Sequence, residues 1–158
     1  MGTNIYLVRQ ITKKEIKETQ TLFNSVLHNL ETSRDTSKVL EPLQEHLEKL
    51  KEEIHICKRS YGWQLLFQSH KELYDCTWKS MINYIKKVLN NGTYIMVDEY
   101  GELYSLDDLK KDLESFKDGY TGKTYDEECR KNGEYNHISC ADYEYISDGL
   151  RWTDRNFS

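Results

Sequence analysis

Apolar residues recur along this chain in two alternating patterns, and together the patterns predict an α+β fold. Spacings of three and four residues indicate helices, whereas short runs rich in β-branched and aromatic residues indicate strands. A run of the second kind opens the chain at 4–8, and helical spacing follows over about 12–32 and again from Val39 to Leu50. The polar link at 33–37 separates the two helical stretches, so the pattern predicts a helical hairpin.

A β-hairpin at 54–68 is the predicted centre of the fold. Two strand-forming runs flank a turn at 60–62, and Gly62 stands where a three-residue loop requires a left-handed backbone. The predicted opposite pairs are Arg59 with Trp63, Cys57 with Leu65, and His55 with Phe67. Because opposite residues share a face of the sheet, a cation and an imidazole would lie against aromatic rings on a mainly apolar surface.

Helices and short strands alternate in the rest of the chain. The predicted elements are a helix capped at Ser69 or Asp75 and ending near 90, a hairpin of 93–97 with 102–104, a helix from Ser105 to about 119, a short helix at 124–132, and a hairpin of 143–146 with 150–152. With no long linker and no repeat, we predict one α+β domain over 1–158. Its antiparallel sheet is built from hairpins with helices packed on it, and the helical hairpin at about 12–53 is a candidate insertion.

Composition supports a folded chain that needs no disulfide, metal or cofactor. The 158 residues are 31% charged and 37% apolar, with 12 tyrosines and one proline, and a chain of this length can bury a substantial core. The four cysteines at 57, 76, 129 and 140 form no CxxC pair, which favours reduced thiols. No apolar run approaches 18 residues, so neither export nor membrane spanning is predicted.

Charge is distributed unevenly along the chain. Residues 1–90 contain 14 basic and 11 acidic side chains, a balance of +3, whereas residues 91–158 contain 8 and 16, a balance of −8. A concentrated negative surface disfavours direct DNA binding and favours a basic partner, such as the nucleic-acid channel of another protein. The alternative is a solvated surface that keeps the protein in solution.

One end of the central hairpin is a candidate binding site for a phosphate or a nucleotide. Cations, a hydroxyl and backbone N–H groups can receive an anion there, and an aromatic ring can stack on a base. The candidate ligand-binding residues are His55, Lys58, Arg59, Ser60, Tyr61 and Trp63. The alternative is structural, with Arg59 lying over Trp63 as a cation–π pair and His55 hydrogen-bonded inside the core.

Catalytic and metal-binding motifs are absent or incomplete. The segment at 119–124 ends like a phosphate-binding loop, but Lys117 stands where that motif requires glycine. No serine elbow or local cysteine–histidine signature occurs. Two weak metal candidates are Asp98 with Glu99 and Glu102, and Cys129 with His137 and Cys140. We therefore predict neither an enzyme nor a metal protein.

Several pieces of the chain resemble a group of small uncharacterised bacteriophage proteins. The pieces are the MGTNIYL opening, the central pattern HxxKxSxGWxxLF that begins at His55, the VDEYG segment at 97–101, and the ending at 152–158. They occur in the same order and span nearly the full length. This chain departs from the group at Cys57, where glycine is usual, and at Arg59, where serine is usual. Members differ most where this chain has its helical hairpin, which makes that hairpin a candidate partner surface.

The resemblance implies a phage accessory protein that acts in the host bacterial cytoplasm. Small phage proteins of this kind commonly counter host defences, so we predict a noncatalytic inhibitor of a host antiviral defence protein, such as a CRISPR effector. Its acidic, tyrosine-rich surface would occupy a basic site, with Asp107, Asp108, Asp112 and Glu114 as candidate partner-binding residues. The alternative is a small-ligand binder that sequesters a nucleotide signal of host defence at the central hairpin.

Overall fold

A computed structural model describes residues 2–134 and 140–156, with the backbone alone at 140 and 141. The described residues form five α-helices and six strands, and the strands make one open, mixed and mostly antiparallel sheet with helices packed on it. This confirms the predicted α+β class. The chain divides into two compact units, one made of Met1–Leu7 with Ile54–Ser158 and the other of Val8–Glu53.

The Val8–Glu53 unit contains the two predicted helices, α1 (Lys13–Thr32) and α2 (Thr36–Leu50). A capping box starts α1, because the Thr12 side chain accepts from the Glu15 N–H while the Glu15 carboxylate accepts from the Thr12 N–H. These two bonds satisfy N–H groups that would otherwise lack partners at the start of the helix.

The second helix of this unit, α2, starts at a cap formed by Asp35, whose side chain accepts from the Lys38 N–H. A side-chain hydrogen bond of 2.8 Å between Thr19 Oγ1 and His46 Nε2 joins the two helices. The predicted helical hairpin is therefore confirmed within this unit.

The six strands are β1 (Gly2–Arg9), β2 (Glu53–Ser60), β3 (Leu66–Gln68), β4 (Tyr94–Asp98), β5 (Tyr145–Ser147) and β6 (Leu150–Thr153). Their order across the sheet is β4-β1-β2-β3-β6-β5. The β2–β3 and β5–β6 pairs are antiparallel, but β3 and β6 run parallel. The sheet is therefore mixed. Parallel neighbours need a long crossover connection, and here the chain between β3 and β6 supplies it.

The central hairpin forms, but with a longer loop than predicted. Cys57 lies opposite Phe67 and Lys58 opposite Leu66, so the predicted pairing of Cys57 with Leu65 is wrong by two residues. A shift of two residues keeps every side chain on its predicted face, since the side-chain period of a strand is two. Gly62 has the predicted left-handed backbone, with φ of 81°.

Three more helices belong to the larger unit: α3 (Trp78–Asn90), α4 (Leu106–Ser115) and α5 (Gly122–Lys131). Thr77 caps α3, so neither Ser69 nor Asp75 has the predicted capping role. The predicted returning strand at 102–104 reduces to a single bridge between Val97 and Leu103. A short 3₁₀ helix at Cys140–Tyr143 precedes the last two strands.

Aromatic rings pack together within the aliphatic core of the larger unit. Phe67 and Trp152 are fully buried on neighbouring strands, and their ring centroids are 5.3 Å apart. Trp78, at the start of α3, packs against Phe67 at 6.3 Å. Across the described residues, no helix combines the length and the apolar character needed to cross a membrane.

Candidate functional site

His55 is a neutral core side chain and not an anion receptor. It lies on β2, is 7% exposed, and its Nε2 donates to the Cys57 carbonyl at 3.1 Å. The Tyr6 ring packs against the imidazole with centroids 5.0 Å apart. Burial, which penalises the charged form, lowers the pKa of His55 to about 4. His55 therefore brings no positive charge to the hairpin near neutral pH. This agrees with the alternative interpretation, in which His55 is hydrogen-bonded inside the core.

This lowered pKa predicts a loss of stability in mild acid. The folded-state pKa of about 4 lies below the unfolded value near 6.5, so the unfolded chain binds the proton more readily between these limits. The free energy of unfolding should fall by about 3 kcal/mol from pH 6.5 to pH 4. Urea denaturation at a series of pH values measures the slope. The variant His55→Gln should flatten it, and equal slopes in the two proteins would contradict the assignment.

Arg59 pairs with Asp112 instead of lying over Trp63. Its Nη1 donates to Asp112 Oδ2 at 2.7 Å, and the Tyr104 hydroxyl donates to the same oxygen. Burial and this hydrogen bond raise the pKa of Tyr104. The predicted cation–π pair of Arg59 with Trp63 is therefore wrong, because a carboxylate that lies 53 positions along the chain captures the guanidinium.

Lys58 and Ser60 do not join Arg59 in a common anion site. Lys58 lies opposite Leu66, and because adjacent strand residues point to opposite faces it projects away from the Arg59 face. The Ser60 carbonyl accepts from the Trp63 N–H at 3.1 Å and closes the turn. The predicted ligand-binding residues are therefore close in sequence but do not converge on one ligand position.

Trp63 is held between other side chains of the larger unit. The guanidinium of Arg151 lies over its ring at 4.9 Å, and the Tyr125 ring packs against it at 4.9 Å between centroids. The Tyr120 ring contacts it edge-on at 6.0 Å. The Trp63 indole thus packs the loop after β2 against α5 and the residues before it. Little of the indole face remains available for stacking on a base.

Arg151 and Glu144 form a buried ion pair that sequence analysis did not identify. Both Nε and Nη2 of Arg151 donate to the carboxylate of Glu144 at 2.5 Å, and Nη1 donates to the Gln64 carbonyl at 2.7 Å. The Gly122 N–H, at the start of α5, donates to the same carboxylate at 2.9 Å. Oppositely charged residues seven positions apart are common in solvated loops, so the sequence carried no signal of this burial.

Three large exposed side chains form what we call the turn surface: Tyr61, Tyr100 and Leu103. Their exposed fractions are 92%, 71% and 79%. Tyr61 follows β2, whereas Tyr100 and Leu103 follow β4, and both strands neighbour β1. Two strand spacings, about 10 Å, separate β2 from β4, and Leu103 lies one spacing further out because it bridges Val97 on the free edge of β4.

Hydrogen bonds and close contacts place these loops at the same end of the sheet. Asn4 Nδ2, on β1, donates to Glu99 Oε2 at 3.1 Å in the loop after β4. Gly2, at the start of the same strand, lies so close to Ser60 that a Cβ on Gly2 would be 2.5 Å from the Ser60 Oγ. The first residues of β1 therefore bridge the two loops that carry the turn surface.

The loop after β4 is preorganised and acidic. Asp98 Oδ1 accepts from the N–H groups of Tyr100 and Glu102, each at 2.9 Å, and Gly101 takes a left-handed φ of 83°. Asp98 thus stabilises the turn. The side chains of Glu99, Glu102 and Asp107 are exposed in the same stretch of chain. Rigid loops lose less entropy on binding, which favours a recognition role for this one.

The four acidic residues predicted to bind a partner have different roles. Asp107 is exposed in the first turn of α4, whereas Asp108 caps that helix through Ser105, and this bond lowers the pKa of Asp108. Asp112 holds Arg59 and Tyr104, and Glu114 pairs with Lys117 on the surface. Asp107 is the one whose neutralisation would leave these local contacts intact.

No group of three or more His, Cys, Asp or Glu side chains suited to a metal occurs within 2–134 and 140–156. The predicted zinc candidate lies partly outside the described residues, because His137 and the side chain of Cys140 are among those that the structure does not describe.

The strands and helices described above define a small α+β protein with an open mixed sheet. No protein-family model, curated protein or solved structure matches it.

Proposed function

We propose that this chain is a noncatalytic bacteriophage accessory protein that binds and inhibits a host antiviral defence protein in the bacterial cytoplasm. The turn surface is the observation that supports binding, because Tyr61, Tyr100 and Leu103 expose large side chains together at one end of the sheet. Exposed aromatic and apolar groups in one region mark interaction sites, and tyrosine is a frequent hot-spot residue.

The charge next to the turn surface supports a basic partner. Glu99, Glu102 and Asp107 are exposed in the same stretch, within residues 91–158, which have a charge balance of −8. Carboxylates around apolar anchors attract a positively charged cleft and raise the association rate, an effect that salt screens. A defence protein with a nucleic-acid-binding surface, such as a CRISPR effector, has this chemistry. The phage origin rests on the resemblance of the four sequence pieces.

The nucleotide-binding alternative stays a prediction. It requires Lys58 or Arg59 on a phosphate and Trp63 or Tyr61 on a base. Arg59 is bound to Asp112 and Trp63 is packed under Arg151, so of these groups only Tyr61 is fully exposed. These contacts and exposed fractions support the turn surface, to which the hairpin contributes Tyr61, as the binding region.

A plating assay tests the proposal in the host. Phage are plated on a bacterial strain that carries a CRISPR effector system and on the same strain without it, each expressing the chain. We expect the chain to raise plating on the defended strain alone. The triple variant Tyr61→Ala/Tyr100→Ala/Leu103→Ala should lose this effect, because one hot spot contributes about 2 kcal/mol of binding or more.

The matched control is Ile146→Ala, which removes an exposed apolar side chain from β5, at the other edge of the sheet. It should protect phage as well as the unmodified chain does. Equal thermal melting of all variants establishes that they fold. If the triple variant still protects phage, the turn surface is not the binding site, and if the folded chain protects against no defence system, the inhibitor proposal fails.

A further inference from the structure

Both helices of the Val8–Glu53 unit carry apolar residues at heptad spacing. In α1 the positions are Ile16, Phe23, Leu27 and Leu30, with the polar Gln20 at the remaining heptad position, and in α2 they are Leu40, Leu43, Leu47 and Leu50. Alternating steps of three and four over two to three heptads are the pattern of a helix that packs into a bundle. We call these nine positions the heptad face.

Five of the nine heptad-face positions are exposed and the other four are half-buried. Ile16 and Phe23 are each 48% exposed, Leu27 is 44% exposed and Leu47 is 43% exposed. Val26 is the one buried residue of α1, and α2 has none, among the residues described. Helices with an apolar stripe obtain most of their stability by burying that stripe, so a further packing partner is expected.

The contact between α1 and α2 lies to one side of the heptad face. Thr19 and His46 join the helices, and each directly precedes a heptad-face residue, Gln20 and Leu47 respectively. Residues at that position line the flank of a heptad stripe. The two stripes therefore face the same side of the pair and form one apolar layer.

We propose that a second copy of this chain covers the heptad face, so that two helix pairs form an antiparallel four-helix bundle. The order of charges along the outer flank of α1 supports a self-complementary interface. Lys17, Asn24 and Glu31 occur there at intervals of seven, and all three are exposed. In an antiparallel pair of α1 helices, Lys17 lies opposite Glu31 of the second copy at both ends, and Asn24 lies opposite itself.

The outer flank of α2 is compatible with the same symmetry. Its residues at the equivalent spacing within α2 are Ser37 and Gln44, which are uncharged, so no like charges meet along this flank. Because Thr19 lies level with His46, the two-fold axis that brings Lys17 opposite Glu31 crosses α2 near Glu41 and leaves Ser37 close to Gln44 of the second copy. Both outer flanks are therefore compatible with an isologous interface.

Sedimentation equilibrium of the full chain tests this proposal. The expected mass is twice 18.8 kDa, with dissociation on dilution. The variant Lys17→Glu places two carboxylates opposite each other at both ends, so the dimer dissociation constant should rise about tenfold. The double variant Lys17→Glu/Glu31→Lys restores opposite charges and should return the constant to its original value. The control Lys14→Glu changes the same charge on the far side of α1 and should have little effect.

A hydrophobic variant separates this interface from any other. Phe23→Glu should give a monomer, and circular dichroism establishes whether its helices persist. The proposal is overturned if the unmodified chain is a monomer throughout the concentration range. It is equally overturned if Phe23→Glu is still a dimer. The same holds if the double variant Lys17→Glu/Glu31→Lys does not recover the dimer affinity that Lys17→Glu loses.

Discussion

Replacing Arg151 with methionine should destabilise the protein by about 3 to 5 kcal/mol, the cost of leaving a buried charge without its partner. Arg151 is 7% exposed and the Glu144 side chain 10%, so little water can replace the guanidinium. The variant also removes the donor to the Gln64 carbonyl and the cation over Trp63. Urea denaturation, monitored by tryptophan fluorescence, measures the change in the free energy of unfolding.

Neutralising both Arg151 and Glu144 should lower the free energy of unfolding by less than replacing Arg151 alone. The double variant Arg151→Met/Glu144→Gln keeps an acceptor for the Gly122 N–H but eliminates the uncompensated carboxylate, so it should recover part of the lost stability. Arg130→Met, an exposed arginine in the last turn of α5, is the control and should change stability by less than about 0.5 kcal/mol. A cost for Arg151→Met as small as the control's would contradict the structural role of the pair.

Gly119→Ala should lower the free energy of unfolding by about 2 to 4 kcal/mol, nearly as much as Arg151→Met does. A Cβ at this position would lie 2.5 Å from the carbonyl carbon of Trp63 and 2.6 Å from the Gln64 nitrogen, and both are backbone atoms that cannot rotate away. Backbone hydrogen bonds fix the contact, since the Tyr120 N–H donates to Gly62 at 2.9 Å and Tyr120 accepts from the Gln64 N–H at 3.0 Å.

The control for this prediction is Gly133→Asn. Gly133 has a left-handed φ of 73° and open space around it, and asparagine tolerates that conformation better than most residues. We expect a small change in the denaturation midpoint for Gly133→Asn and a large one for Gly119→Ala. Similar midpoints for the two variants would show that the strands and the 119–121 segment can separate at little cost.

Local signals in the sequence were enough to predict most of the helices and the fold class. The Thr12–Glu15 capping box and the Ser105–Asp108 box each involve residues three positions apart, so the sequence displays both partners together. Helical spacing of apolar residues is equally local. The predicted helical hairpin and the α+β class are correct because neither depends on which strands pair.

Register and strand direction were beyond local reasoning. The loop after β2 is longer than predicted because Tyr120 pairs with Trp63 and holds the connecting segment away from a tight hairpin. Likewise, Leu66 pairs in parallel with Arg151, and no pattern near either residue specifies the other. Contacts across most of the chain decide both features, so periodicity alone cannot predict them.

The candidate ligand-binding residues have partners that the sequence did not indicate, for the same reason. The sequence placed His55, Arg59 and Trp63 together, but burial neutralises His55, Asp112 captures Arg59, and Arg151 covers Trp63. Each competing group lies far away in the sequence. The exposed position of Tyr61 at the turn, by contrast, follows from the hairpin itself.

Native mass spectrometry of the tagged chain, purified from an extract of a defended bacterial host, reports directly whether the chain binds a host defence protein. We expect one such protein at a stoichiometric ratio. Its binding should be lost in Tyr61→Ala/Tyr100→Ala/Leu103→Ala, retained in Ile146→Ala, and weakened by salt or by Asp107→Asn. Retention of the same protein by the triple variant would contradict the role of the turn surface. A nucleotide-sized mass on the chain, with no bound protein, would contradict the inhibitor proposal and support the nucleotide-binding alternative.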